Sequence, residues 1–397
     1  MEPRLRSEAP FGHDPLGYAE AMLSESARAA LARLDDTLRT RIAPLLPAAW
    51  ESATLPDAVI DALAPLNLMQ PVGVEPVEAA SSVFSGYRAF VLARTDVSVA
   101  TAYNAQSGLF RTAVRRGGSP EQVAALDHAI RSFAVRGVFA LTEPDHGSDI
   151  AGGLATTATR EGDGWVIDGA KRWIGGADTA DVLVVFARAA DDGEVKAFLV
   201  PRDAPGVTLT RIEGKVSLRP MQNFDIRLDG VRVEENARLQ RVDSWRDVAE
   251  ILRSLRSDVA WIATGLQAGA LDAAVAYVRE REQFGSPLGG FQLVQEKLAR
   301  ILGNLTASLG IVARLSARQD AGVLRDEDSA LAKMQTARLA RESVALAREV
   351  QGGNGILLEH GAARFFADAE AVYSYEGTHE MTALIVGRGL TGASAFV

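Results

Sequence analysis

The chain has 397 residues, of which 47% are hydrophobic and 23% charged, so it is long enough for two or three domains with sizeable cores. Its formal net charge of -9 argues against nucleic acid and anionic membrane surfaces as partners, because clustered Lys and Arg side chains hold phosphate groups. The chain has no cysteine, which excludes disulfides, iron–sulfur clusters, thiolate zinc sites and thiol nucleophiles.

The first residues, MEPRLRSEAPFGHDPL, lack the apolar stretch of a secretory signal, and no segment approaches the roughly 18 consecutive apolar residues of a membrane span. We therefore expect a cytoplasmic protein that does not bind a membrane. The histidines include no pair spaced three or four residues apart, so we expect no metal site. They are His13, His128, His146, His360 and His379.

Up to about residue 136 the pattern is helical. Met22–Leu46 is rich in Ala, Leu and Arg at helical spacing, and Ser119–Gln122 (SPEQ) resembles a capping box with Pro at the first helical position. Residues 137–243 instead carry short runs rich in Val, Ile, Phe and Thr between Asp-Gly turns, as in GWVIDG and FDIRLDGVRV. These runs predict an antiparallel β barrel or sandwich.

From residue 244 the chain is predicted to be helical again, with segments long enough for a helix bundle. These segments are Arg246–Arg281, Phe291–Gln319 and Asp326–Val350. We therefore predict an α+β fold with an N-terminal helical domain (1–136), a central β domain (137–243) and a C-terminal helical bundle (244–397). Strands grouped between two helical blocks argue against a doubly wound parallel sheet, in which strands and helices alternate.

Two motifs of the central block can present groups to a ligand. Phe139–Asp149 (FALTEPDHGSD) ends in a turn whose hydroxyl and N–H groups can bind a polar ligand, or it is only a turn between domains. Lys171–Gly176 (KRWIGG) places Trp173 beside glycines that allow close backbone approach, which suits stacking on a flat ring system. The alternative is a tryptophan in the core of the β domain.

Two further motifs lie at predicted helix ends. Arg281–Gly285 (REQFG) lies at the end of one predicted helix, and Phe291-Gln292 opens the next. An arginine there can hold a pyrophosphate, or it is a solvated charge. Gly352–Gly355 (GGNG) is a partial glycine fingerprint or only a helix C-cap, and no strand precedes it.

Tyr375–His379 (YEGTH) places the Glu376 carboxylate next to a glycine, where a substrate could approach. An apolar pocket raises the pKa of a carboxyl group toward neutrality by desolvation, which makes it a better base at physiological pH. The alternative is a surface glutamate in a turn.

Together and in this order, the motifs ALTEPDHGSD, KRWIGG, REQFGSPLGGFQ, QGGNGI and YEGTHEM resemble the acyl-CoA dehydrogenase family. The resemblance extends from about Asp96 to Phe396, and EAVYSYEGTHEMTALIVGRGLTGASAF is most similar to the glutaryl-CoA dehydrogenase branch. It implies a helical domain, a central β domain and a C-terminal four-helix bundle, with FAD as cofactor. It also implies an oligomer, typically a homotetramer.

The resemblance also implies roles for single residues. Glu376 matches the base that takes the α proton of an acyl thioester while the β hydrogen leaves as hydride to the flavin. Gly377 and Ser148 match substrate contacts, and Arg256 matches a position on the path of the CoA thioester.

The FAD contacts that the resemblance implies come from six separate segments. Those between Arg281 and Gln292 match positions that reach the FAD of a neighbouring subunit. The full set is Phe139, Leu141, Thr142, Gly147, Ser148, Trp173, Ile174, Gly175, Arg281, Phe284, Gln292, Gly352, Gly353, Thr378 and Phe396.

Three positions depart from the family pattern. Ala100 belongs to the expected substrate site and stands where the glutaryl branch has an arginine that pairs with the far carboxylate of the substrate, so we do not expect glutaryl-CoA to be preferred. Glu349 replaces a frequent glutamine near the Gly-Gly pair. Leu255 stands where some members carry an alternative glutamate base, which leaves Glu376 as the only candidate.

The sequence therefore predicts FAD-dependent α,β-dehydrogenation of a short or medium acyl thioester carried by CoA or acyl carrier protein. An electron-transfer flavoprotein or a similar acceptor would take the electrons. One alternative is an acyl-CoA oxidase, which uses the same residues but lets oxygen reoxidise the flavin. Another is a non-catalytic flavin-binding homologue, against which the presence of Glu376 argues.

Overall fold

A computed structural model of the chain describes residues 10–394. Helices, then strands, then helices follow one another along it, which confirms the predicted α+β order. The described residues form two compact units. The helical unit contains the residues up to Thr101, Val216–Pro220 and those from Arg256 onward, and the sheet unit contains Ala102–Lys215 and Met221–Leu255. The predicted domain boundaries after residues 136 and 243 stay a prediction.

Serine side chains cap three of the helices that precede the sheet. Ser24 and Ser81 cap two of them, and Ser119 forms the predicted capping box with Gln122 ahead of Pro120. The helices are α1 (Tyr18–Met22), α2 (Glu25–Thr37), α3 (Leu46–Ser52), α4 (Asp57–Leu63), α5 (Pro76–Ala79), α6 (Ser82–Thr95), α7 (Val97–Asn104), α8 (Arg111–Gly117) and α9 (Pro120–Arg131).

A seven-stranded sheet follows. Its elements are β1 (Gly137–Ala140), α10 (Ile150–Gly153), β2 (Thr157–Glu161), β3 (Gly164–Gly175), β4 (Val182–Ala189), β5 (Val195–Pro201), β6 (Val207–Arg211) and β7 (Asn223–Glu234). The strand order is β1-β4-β2-β3-β7-β6, with β5 paired to β4. Strand β4 runs parallel to β1 and β2, so the prediction of a wholly antiparallel domain was wrong at these two pairings. Parallel pairing needs a long connection, which short turn motifs do not reveal.

Strand β4 is buried on both faces of the sheet. Because side chains alternate along a strand, Leu183 and Val185 enter one apolar cluster, whereas Val184 and Phe186 enter another. The second cluster also contains Phe110 of the segment after α7. The sheet is thus fixed from both sides, which gives the loops at its edges a rigid base.

The C-terminal elements are α11 (Trp245–Glu280), β8 (Glu282–Gln283), β9 (Ser286–Pro287), α12 (Gln292–Asp320), α13 (Asp326–Val350), α14 (Ala362–Ser374) and α15 (His379–Thr391). The three long C-terminal helices α11, α12 and α13 agree with the predicted segments within one residue. By length and composition alone, α11 and α12 could cross a membrane, so the expectation of no such segment was too strong. The apolar window of α11 is 78% buried inside the protein, as in an ordinary core helix.

Within the helical unit, α6 and α11 approach closely at two glycines. A Cβ on Gly86 would lie 2.1 Å from Nε1 of Trp261, and one on Gly265 would lie 2.3 Å from the Phe90 carbonyl oxygen. The Trp261 indole donates to Ser316 Oγ at 2.9 Å, which ties α12 to the same point. This packing fixes α11, the helix that carries Arg256.

Candidate active site

Trp173 lies at an irregularity of the sheet. The pairing of β3 with β7 shifts register between Lys171 and Ile174, and Trp173 has a φ of 65°. A bulge of this kind re-aims a side chain, and the indole is 51% exposed whereas Ile174 returns to the core. The guanidinium of Arg172 lies 5.1 Å from the centre of the indole ring. Trp173 is therefore a surface aromatic at a bulge, and the alternative of a core tryptophan does not hold.

The loop after β1 is fastened to this bulge. The Arg172 backbone N–H donates to the Thr142 carbonyl oxygen at 2.8 Å, and Lys171 Nζ donates to the Leu141 carbonyl oxygen at 3.2 Å. The two motifs singled out in the sequence therefore lie side by side. Because Leu141 is buried in an apolar cluster, only its backbone groups remain for a ligand.

A buried ion pair holds the loop in place. Lys171 Nζ donates to Glu143 Oε1 at 2.7 Å, and the same carboxylate accepts from the N–H groups of Ala155 and Thr156 at 2.6 and 2.9 Å. Burial lowers the pKa of Lys171 to about 8, and Glu143 opposes this shift. Burial would raise the pKa of Glu143, but Lys171 and the N–H donors lower it overall. The pair is satisfied on both sides, and neither motif can move without breaking it.

The groups left free beside the pair fit the flavin that the sequence predicts. Among residues 10–394, the Thr142 and Ser148 hydroxyls have no hydrogen-bond partner, and Gly147 has open space where a Cβ would stand. An exposed indole, free hydroxyls and accessible peptide groups suit a flat ring with polar edges. Gly175 lies in β3, the strand that carries Trp173. The ring of Phe139 packs against that of Phe186, with 4.7 Å between the ring centres.

The predicted contacts to a neighbouring subunit lie between α11 and the start of α12, with Phe284 in the turn between β8 and β9. Arg281 and Gln292 are exposed, and the Phe284 ring is 95% exposed with a φ of 52°. The Arg281 side chain makes no hydrogen bond or ion pair with any part of the chain that the structure describes. An exposed aromatic ring three residues from an unpaired arginine is typical of a surface that another molecule covers.

The glycine pair after α13 has the geometry of a helix end. Gly352 has a φ of 58° directly after the helix, where a left-handed residue commonly ends it, and neither Gly352 nor Gly353 has an atom within 4 Å of a Cβ position. Glu349 lies 3.4 Å from Lys297 Nζ. These glycines remain open to a ligand, and their contact with FAD stays a prediction.

Glu376 lies in a short connection between α14 and α15, called here the base loop (Tyr375–Thr378). The loop ends at Thr378, whose Oγ1 caps α15 by accepting from the Met381 N–H at 3.2 Å. Gly377 has a φ of 100°, and Glu376 itself has a φ of 52°, a left-handed conformation that residues with a Cβ rarely adopt. Such strain clusters at functional sites, where surrounding contacts impose it.

The Glu376 carboxyl group is desolvated and incompletely bonded. Its Oε2 is buried without a hydrogen-bond partner among residues 10–394. Burial raises the pKa of Glu376 to about 8, and the nearby Asp258 carboxylate adds to the shift. Lys333 and Arg256 oppose it. Glu376 is therefore no surface glutamate, and its pKa is that expected of a general base at physiological pH.

The remaining predicted substrate positions, Arg256 and Ala100, lie in α11 and α7 of the helical unit. Arg256 is half-buried, with its guanidinium 3.9 Å from Asp326. Ala100 is only 1% exposed, and Leu255 is buried in an apolar cluster of the sheet unit. Phe396 lies outside the described residues, so its predicted contact with FAD has no structural description.

Two charged residues near Glu376 were not predicted from the sequence. Lys333 is fully buried in α13, and Asp258 is half-buried in α11 with its pKa raised by burial to about 6, a shift that Arg88 opposes. Each interrupts an apolar stripe at helical spacing, as Asp258 does between Leu255 and Ile262. A charge inside such a stripe was the available signal. Among residues 10–394, no group of His, Cys, Asp or Glu is arranged to hold a metal ion.

Comparison with known proteins gives matches along most of the chain. The family model described as "Acyl-CoA dehydrogenase, middle domain" matches residues 138–231, and "Acyl-CoA dehydrogenase, C-terminal domain" matches residues 245–391. Benzylmalonyl-CoA dehydrogenase of Aromatoleum aromaticum is 31% identical over 353 residues, covering 88% of this chain and 93% of the relative. The short-chain specific acyl-CoA dehydrogenase of Homo sapiens mitochondria is 30% identical over 378 residues, covering 93% and 91%.

A solved structure matches equally well. The crystal structure of a glutaryl-CoA dehydrogenase from Mycobacterium smegmatis in complex with FADH2 superposes with a TM-score of 0.89 at 32% identity. The match covers 95% of this chain and 97% of that one.

Proposed function

The chain belongs to the acyl-CoA dehydrogenase family, and on that premise we propose that it removes two hydrogens from a short or medium acyl-CoA, with Glu376 as the base. It is an FAD-dependent acyl-CoA dehydrogenase. The observation that supports Glu376 is its buried, unpartnered Oε2, on a carboxyl group whose pKa burial raises to about 8.

FAD, when bound, would supply the hydride acceptor for the β hydrogen. The protein's part is the α proton, which Glu376 takes on its carboxylate as the Cα–H bond breaks and the α,β double bond forms. A desolvated carboxylate is a stronger base than one in water, because no solvent stabilises its charge. The Lys171–Glu143 pair holds together the loop after β1 and the bulge at Trp173, whose residues fit the flavin ring.

The electron acceptor distinguishes the proposed dehydrogenase from an acyl-CoA oxidase. We propose an electron-transfer flavoprotein or a similar protein as the acceptor. A dehydrogenase consumes little oxygen when mixed with acyl-CoA alone, whereas an oxidase consumes oxygen in proportion to product. The same assay with acyl carrier protein thioesters tests the alternative carrier. Turnover with oxygen as sole acceptor would replace the dehydrogenase assignment by an acyl-CoA oxidase.

The acyl group is proposed to be uncharged. Among the relatives, the names glutaryl-CoA and benzylmalonyl-CoA denote acyl groups with a second carboxylate, whereas the human enzyme is named only for short chains. A buried carboxylate needs a cation, and the buried Ala100, at the position where the resemblance places an arginine of the glutaryl branch, supplies none. The buried Arg88 guanidinium donates to the Leu68 carbonyl oxygen and lowers the pKa of Asp258. Arg88 therefore interacts with groups of the protein itself, and we do not propose it as the partner of a substrate carboxylate.

Ala100→Arg is expected to move the preference from butyryl-CoA toward glutaryl-CoA, because it places a cation in α7. The measurement is kcat/KM for both thioesters with an artificial electron acceptor, on wild type and variant side by side. The matched control is Ala100→Met, which adds volume without charge and should lower both values alike. Equal or better turnover of glutaryl-CoA by the wild type would show that the carboxylate is neutralised elsewhere.

Arg281→Ala is expected to weaken FAD retention, because it removes a charge-assisted contact to pyrophosphate of about 1.5–3 kcal/mol. We propose a homotetramer in which this contact crosses between subunits. FAD content after dialysis and mass by light scattering are compared with those of Arg246→Ala, which removes an exposed arginine at the opposite end of α11. Unchanged FAD affinity in Arg281→Ala would remove this residue from the cofactor site.

A further inference from the structure

Lys333 is fully buried, although lysine is almost never fully buried without a partner. Its Nζ donates to the Tyr373 carbonyl oxygen at 2.9 Å and to the Gly377 carbonyl oxygen at 2.5 Å. These carbonyls lie before and after Glu376 in the chain. The ammonium group therefore joins the end of α14 to the far side of the base loop.

We propose that Lys333 is a positioning residue for Glu376, holding the base loop in its strained conformation and favouring the proton-accepting form of the carboxyl group by its charge. The inference rests on the function proposed above, since it assumes that Glu376 takes a proton from the substrate.

The geometry accounts for the strained backbone of the base loop. The Tyr373 carbonyl is among the last four of α14, which have no helical N–H partner, and a cation is favourable at that end of a helix. The Tyr373 ring is held separately, stacked 4.6 Å from His379 and 4.4 Å from the Arg341 guanidinium. With both ends fixed, the residues between them turn sharply, and Glu376 takes the left-handed conformation.

The charges around the carboxyl group give the direction of the electrostatic effect. The pKa of Glu376 depends on the charges of Asp258 and Arg256 in α11 and of Lys333 in α13. The Glu380 carboxylate of α15 also affects the pKa of Lys333. Burial lowers the pKa of Lys333 to about 8, which Glu376 opposes. Removing Lys333 would leave Glu376 with Asp258 raising its pKa and only Arg256 lowering it. The base would then stay protonated to a higher pH.

The test replaces Lys333 by Met, which keeps most of the volume and removes both the charge and the donors. Anaerobic flavin reduction by butyryl-CoA is followed over a range of pH, with KM measured separately. We expect the limiting rate at pH 7 to fall about tenfold and its midpoint to move up by about one pH unit, with little change in KM. Lys196→Met, which removes a buried lysine paired with Asp192 in the sheet unit, serves as the control and should keep the wild-type profile.

A purely structural lysine would give a different result. Lys333→Met would then melt earlier but keep the wild-type rate and midpoint in its folded fraction, which would overturn the inference. If the methionine variant does not fold, Lys333→Gln, which retains a neutral donor, is measured instead and should show the same upward shift of the midpoint. A wild type that fails to reduce its flavin would overturn the proposed function itself, a result distinct from an unchanged variant.

Discussion

Glu376→Gln is expected to keep the fold and the flavin but to lose flavin reduction by acyl-CoA. Glutamine is nearly isosteric with glutamate and cannot accept the α proton, and loss of a positioned base costs about 10²–10⁴-fold in rate. The measurement is the rate at which the flavin band bleaches after anaerobic mixing with butyryl-CoA. Bleaching by the variant at a rate near wild type would assign the base to another residue.

The same variant also tests the pKa of Glu376 through stability. In the unfolded chain the carboxyl group ionises near its ordinary pKa, but in the folded protein burial raises the pKa of Glu376 to about 8. Folding stability that the protonated form supplies at low pH is therefore lost as pH rises toward 8. Glu376→Gln has no such loss, so its Tm should exceed that of the wild type by more at pH 8 than at pH 5. An equal difference at both pH values would show an ordinary pKa.

Lys171→Met is expected to destabilise the protein by about 3–5 kcal/mol, because it leaves the buried Glu143 carboxylate without its cation. The loop anchored at the Leu141 carbonyl oxygen would loosen as well, so FAD content should fall. Urea unfolding at pH 7, with and without added FAD, measures both effects.

Two further variants identify the cause of the loss. In the double variant Glu143→Gln with Lys171→Met, the buried charge is gone, and much of the stability should return. Lys196→Met removes a buried lysine whose partners Asp192 and Asp243 are exposed, so it leaves no buried carboxylate without a cation and should cost less than Lys171→Met. A Lys171→Met protein as stable as the Lys196→Met control would mean that the ion pair does not hold the loop.

Local signals in the sequence predicted the helices well. The capping box at Ser119 and the bounds of α13 follow from residues that are neighbours in the chain, so periodicity and caps were sufficient to place them. The parallel pairing of β4 with β1 and β2 depends on residues distant in sequence, and no local pattern encodes it. The sheet bulge at Trp173 is of the same kind, since it depends on the register of β3 against β7.

The residues of the candidate site also differ in whether local sequence patterns reveal them. Glu376, Trp173 and the loop after β1 lie in motifs that are visible in the sequence. Lys333 and Asp258 lie in no such motif, and they affect the pKa of Glu376 only because the fold brings them near it. Lys333 matters because α13 carries it to the carbonyls around Glu376, a relation between residues about 40 positions apart. Sequence patterns locate groups that carry chemistry, but the burial and charges that adjust them depend on packing.

The most direct test of the central claim is anaerobic mixing of the wild-type, FAD-loaded protein with butyryl-CoA between about pH 6 and 9. Because Glu376 accepts a proton only when ionised and its pKa is raised to about 8, the rate of flavin bleaching should rise with pH and level off above that value. One enoyl-CoA should form for each flavin reduced. A flavin that stays oxidised, or a bleaching rate that does not change with pH, would contradict Glu376 as the base of an acyl-CoA dehydrogenation.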